Sequence, residues 1–94
     1  MITLHIEHPI HDFDLWRQAF SRFSDARAQG GVRRHVVSRP LDDDHHVAID
    51  LDFDDEESAR RFESFLHETV WARPENSPAL AGSPVTRLMR SEVV

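Results

Sequence analysis

His67 and Trp71 stand four residues apart in a stretch of helical periodicity, so on a helix they share a face. An imidazole titrates near neutral pH, and beside an aromatic ring it can position or deprotonate a phenolic or enolic substrate. The same placement has a structural use, because a positive histidine is favoured at a helix C-terminus. Trp16 and Phe20 are also one turn apart, as core residues or as one wall of an apolar pocket; both roles can hold at once. His67 is therefore the candidate catalytic residue, and Trp16, Phe20 and Trp71 are the candidate substrate-binding residues.

Two other clusters hold possible ligand atoms. "DDDHH" at 42–46 has oxygen and nitrogen donors, but neighbouring residues of a hairpin point in different directions and metal sites need convergent ligands. This stretch reads as a solvated acidic turn. His5, His35 and His46, with Glu7 and Asp50, form a better constellation, since adjacent strands can bring them together. They are expected to pair, histidine with carboxylate, at a dimer interface, and no metal site is expected there. The stretch "HPIHDFDLWRQAF" at 8–20 is rich in ionisable and aromatic groups, yet it divides into a strand end at Pro9, a capping Asp12 and the inner face of a helix.

Composition removes several classes of chemistry. With no cysteine there is no disulfide, thiolate nucleophile or Cys-ligated metal. With no lysine there is no Schiff-base catalysis, since all eleven basic residues are arginine. A formal charge of −6 disfavours nucleic acid. Neither a nucleophile elbow, a phosphate loop nor a dinucleotide fingerprint occurs, so no cofactor is implied. No apolar run is long enough to cross a membrane, and the chain starts directly on an alternating pattern, from which a cytoplasmic location is expected.

The elements that must position these residues follow from periodicity. Ile2, Leu4 and Ile6 alternate with Thr3, His5 and Glu7 in a first strand over residues 2–8. Phe13, Trp16, Ala19, Phe20, Phe23 and Ala26 recur at steps of three and four, predicting one helix over 13–28 that Gly30–Gly31 stop. A second strand runs from Val32 to about Arg39 and a third carries Val47, Ile49, Leu51 and Phe53 on one face. A capping box from Asp54 to Glu57 opens a second helix reaching His67 or Trp71. Residues 72–84 form a surface loop with one helical turn at most, able to cover a pocket mouth. The last strand, "VTRLMRSE", leaves its inward face undecided.

Strand, helix, strand, strand, helix, strand folds as an α+β ferredoxin-like βαββαβ plait, a single domain over 1–94 with both helices on one face of an antiparallel four-stranded sheet. The second face would carry His5, Glu7, His46, Asp50 and Asp52, joined by Arg33, His35 and Val37 or by Arg34, Val36 and Ser38. It is either a solvated face or a seam against a twofold mate.

The motifs D-F-D-x-W-x-x-x-F in the first helix, G-V before the second strand, an acidic turn, and F-D-x-x-E-x-A-x-x-F entering the second helix resemble the dimeric α/β-barrel superfamily. More closely, the chain is similar to small antibiotic-biosynthesis-monooxygenase-like and cyclase-like bacterial proteins. The resemblance implies a homodimer whose two sheets close into a barrel, with one pocket per subunit for a small aromatic or polyketide-like ligand. It extends to cofactor-independent monooxygenases, in which oxygen reacts directly with a substrate carbanion, and to proteins with no known activity. Haem-degrading members resemble one another through an Asn on the first strand, a Trp ending the third and a late His ligand. Here those places hold His5 and Glu7, Phe53, and the neighbourhood of Glu75, so the haem pattern is not met.

Overall fold

Alternating apolar and polar residues build the two central strands of the sheet. In a computed structural model describing residues 1–94, β1 (Ile2–Pro9) is followed by β2 (Arg34–Ser38), β3 (His46–Phe53) and β4 (Val85–Arg90). The spatial order is β2-β3-β1-β4, every neighbour antiparallel. Ile6 lies opposite Ile49 and Leu4 opposite Leu51, which sends one apolar row from each central strand to the same side. α1 (Phe13–Arg22), α2 (Ser24–Gln29) and α3 (Glu56–Phe65) supply Trp16, Ala59 and Phe62 to the core above that row, where Leu4, Val47 and Phe53 are fully buried. This is the ferredoxin-like plait. None of its helices is long and apolar enough to cross a membrane.

Three local expectations change, and that of a loop over 72–84 holds. The helix expected over 13–28 breaks at Phe23, whose backbone leaves helical geometry at φ −102°, ψ 18°. The break is held by Arg27, which donates from Nη1 to the Phe20 carbonyl at 2.7 Å. Apolar spacing misses it because Phe23 and Phe20 still face inward on either side. At the start of α3 the cap is Asp55 rather than Asp54: its carboxylate accepts from the Ser58 N–H at 2.7 Å, while Asp54 pairs with Arg33. After Phe65 the backbone widens into a π-helical turn, Leu66–Val70, closed by the Trp71 N–H donating to the Leu66 carbonyl. Residues 72–84 make hydrogen-bonded turns without a regular helical segment.

Registers settle the faces left open by patterning. Arg34 pairs with Asp52 and Val36 with Asp50, so Arg34, Val36 and Ser38 lie on the face away from the helices, and His35 and Val37 lie toward them. Thr86 and Leu88 of β4 oppose Ile6 and Leu4 and face the helix layer, where the Thr86 hydroxyl donates to Glu63 at 2.7 Å. The two glycines of the turn into β2 have separate reasons. Gly31 has φ +93°, and a Cβ on Gly30 would stand 2.6 Å from a ring carbon of Phe62.

Candidate functional site

Where the helices lean on β1 and β3 they leave a cavity of about 70 Å³, and 14 of its 18 lining residues are hydrophobic, so the few polar groups decide its chemistry. Trp16 and Phe20 stack at 4.8 Å between ring centroids, as their one-turn spacing requires, and Phe13 stacks on the far side of Trp16. Trp71 closes another side. The 72–84 loop borders the cavity and contributes Asn76, Ser77, Ala79 and Leu80 to its lining. Three bonds tie that loop to the body: His11 N–H to the Ala79 carbonyl, Ala81 N–H to the Pro9 carbonyl, and the Asn76 side-chain amide to the Thr69 carbonyl.

The polar group from the sheet is His8. It continues the inward row Ile2, Leu4, Ile6 and is only 4% exposed, with Trp16 and Trp71 rings 6.5 and 6.3 Å away. Its Nδ1 lies 3.0 Å from the Pro9 carbonyl. A carbonyl only accepts, so Nδ1 carries the proton and the Nε2 lone pair is left without a protein partner. Burial pushes the His8 pKa below its ordinary value, the Pro9 bond opposes this, and nearby His46 adds to the lowering. The side chain is thus a neutral imidazole between two indoles, able to accept a proton from an acidic C–H or O–H.

The second polar group is Arg27, 8% exposed, with its guanidinium 3.6 Å above the Phe20 ring centroid. Cation–π contact and the Phe20 carbonyl are its partners, and burial lowers its pKa.

The structure brings Trp16, Phe20 and Trp71 together around this cavity. It does not bring His67 there: that imidazole is exposed on the outer side of the π-helical turn, edge-on against Trp71 at 4.9 Å. Leu66 and Val70 are the residues this turn buries, and His67 stands about 100° round from Leu66. Trp71 is offset similarly from Val70, but an indole is large enough to reach back. His8 was missed although a signal existed, since the alternation that put Ile2, Leu4 and Ile6 inside assigns the same side to position 8.

On the opposite face of the sheet, His5 bridges Asp50 at 2.6 Å and Glu7 at 2.8 Å, and Glu7 also meets His46 at 3.0 Å. His35 is not part of this group; it packs edge-on against Phe20 at 5.4 Å. Hydrogen bonds that the imidazole donates to Glu7 and then Asp50 raise the His5 pKa, and those that Glu7 accepts from His5 and then His46 lower that of Glu7. The sign of each contribution follows. His5 stabilises fully below its unfolded value of 6.5 and loses this as pH rises through its raised pKa. Buried His8 acts oppositely, its stabilisation being present above 6.5 and lost as pH falls through its lowered pKa. Thermal stability should therefore peak near pH 6.5 and decline toward pH 9. Asp50→Asn should weaken the alkaline decline and leave the acid limb in place; a melting temperature flat from pH 6 to 9 would contradict the His5 assignment.

No protein-family model matches this sequence, and no curated protein matches it significantly. Solved structures do. SnoaB, a cofactor-independent oxygenase from Streptomyces nogalater, superposes with TM-score 0.75 at 18% identity, covering 99% of this chain and 94% of that one. An antibiotic biosynthesis monooxygenase gives TM-score 0.68 at 11% identity, covering 99% and 100%. A dimeric ferredoxin-like protein from an uncultured marine organism gives 0.62 at 14% identity, covering 98% and 96%. At such identities the likeness establishes the fold.

Proposed function

We propose that this chain is a cytoplasmic homodimer whose cavity binds a small aromatic or polyketide-like molecule and oxygenates it without a cofactor. The observation carrying this reading is the neutral His8 imidazole presented between Trp16 and Trp71 in an apolar cavity. His8 Nε2 would take a proton from an activated methylene, leaving a carbanion delocalised over the aromatic system. One-electron transfer to dioxygen and recombination of the radical pair form a peroxide anion, to which the His8 imidazolium returns its proton; the hydroperoxide then loses water to leave a carbonyl, so one oxygen atom enters the product and the other becomes water. Trp16, Phe20 and Trp71 hold the ring and exclude water. The fold shared with a cofactor-independent oxygenase supports the reading by analogy.

The dimer is supported by the uncovered sheet face, on which Val36, Val85 and Met89 are exposed, and by the dimeric ferredoxin-like protein of the same fold. A cavity of about 70 Å³ is well below the roughly 300 Å³ usual for ligand pockets, so on this reading it widens to admit an aromatic substrate, with the bordering 72–84 loop as the part that moves. Oxygen-electrode measurements with anthrone-type and hydroquinone substrates test the activity. The expected result is uptake of one dioxygen per substrate, with one labelled atom retained in the product from ¹⁸O₂. Binding without uptake across the panel would overturn the oxygenase reading in favour of a non-catalytic ligand-binding module.

A further inference from the structure

Arginine is rarely buried without an acidic partner, because removing its charge from water costs several kcal/mol that an ion pair normally offsets. Arg27 is 8% exposed and forms no ion pair; the chain supplies it with one carbonyl and one ring face. Nη1 is committed to the Phe20 carbonyl and the flat face is covered by the Phe20 ring, while Nε and Nη2 have no partner within the chain; the side chain borders both the apolar cavity and an open groove beside His35 and Val37. The edge formed by Nε and Nη2 is the fork which recognises carboxylates in a bidentate manner. The remaining polar lining is His8, Asn76 and Ser77, and no carboxylate lines the cavity to compete for the fork.

From this geometry we infer that Arg27 is an anion subsite, and that the ligand of the cavity carries a carboxylate or a comparably acidic oxygen at the end that meets α2. The inference rests on the reading of the cavity as a ligand site and names the chemical class it accepts. The hydrogen bond to Phe20 fixes the guanidinium for this role, so that little side-chain freedom is lost when the anion arrives.

Benzoate and benzamide are near-isosteric and differ in charge, and Trp16 and Trp71 are the two tryptophans of the chain, so intrinsic fluorescence reports occupancy. At pH 7 benzoate should bind about tenfold more tightly than benzamide. Arg27→Gln should abolish that preference while leaving benzamide affinity within about twofold, and Arg27→Lys, which keeps the charge without the fork, should retain part of it. Equal binding of the two probes to the native protein overturns the anion subsite and leaves the ligand cavity standing. Equal loss of both probes in Arg27→Gln with Arg27→Lys also overturns it, because Arg27 would then act only as a strut at the helix break. Binding of neither probe to the native protein overturns both readings.

Discussion

Replacing His8 with alanine is expected to lower turnover of an oxygen-accepting aromatic substrate by about 10²–10⁴-fold, the usual contribution of a positioned general base. Ligand affinity should change much less, since Trp16, Phe20 and Trp71 supply the apolar contacts. Two further readouts separate loss of a base from loss of shape. His8→Gln restores side-chain volume and should be as slow as His8→Ala, whereas added imidazole should recover part of the rate only in the alanine variant, where the ring has left a space. The pH profile gives an independent check. Because burial lowers the His8 pKa, kcat/KM of the native protein should be level through neutral pH and fall only on the acid side. His67→Ala is the discriminating control: a loss equal to that of His8→Ala would return the proton to the outer histidine.

The second large effect is on stability. Phe53 is fully buried at the end of β3 and meets Phe62 at 5.8 Å, and Phe62 in turn fills the space beside Gly30. Phe53→Ala should cost about 3–5 kcal/mol. A domain of this size is stable by roughly 5–14 kcal/mol, so the variant would lose about a fifth or more of its folding free energy and melt about 12–40 °C lower. Urea titration of both proteins measures it. A loss below about 1 kcal/mol would mean that the α3 side of the core closes over the deletion or that Phe53 is not enclosed.

How far these sites were legible in the sequence depends on the range of the interaction that fixes each one. β3 could be read residue by residue because its alternation is caused by one buried face, and the periodicity of burial is the same in the structure. The plait followed from element order and short connections. The break at Phe23 could not be read, since it depends on Arg27 reaching back seven residues to the Phe20 carbonyl, an interaction that leaves no trace in apolar spacing. The cap at Asp55 instead of Asp54 is a one-residue choice between adjacent identical side chains, decided when Arg33 from across the turn takes Asp54. The aromatic wall was legible because Trp16 and Phe20 share a face on any helix. The inward place of His8 was not, because a histidine at the end of an apolar row was assigned to a strand terminus, and Pro9 continues the pairing of β1 with β3 by lying opposite His46.

The loop bordering the cavity also sets a scale of time and affinity. Three hydrogen bonds hold it to Pro9, His11 and Thr69, and each is worth about 0.5–1.5 kcal/mol net. Lifting it would therefore cost about 1.5–4.5 kcal/mol before the buried Ala79 is counted, which makes the open form a minority of at most about 0.05–8% at equilibrium. Every ligand meets that minority, so its measured affinity is its affinity for the open chain scaled down by the same fraction. On the proposed oxygenase reading, reclosure would keep a carbanion or hydroperoxide from bulk water for as long as those three bonds last. The loop would then act as a clock, whose period sets how many turnovers are completed in a second.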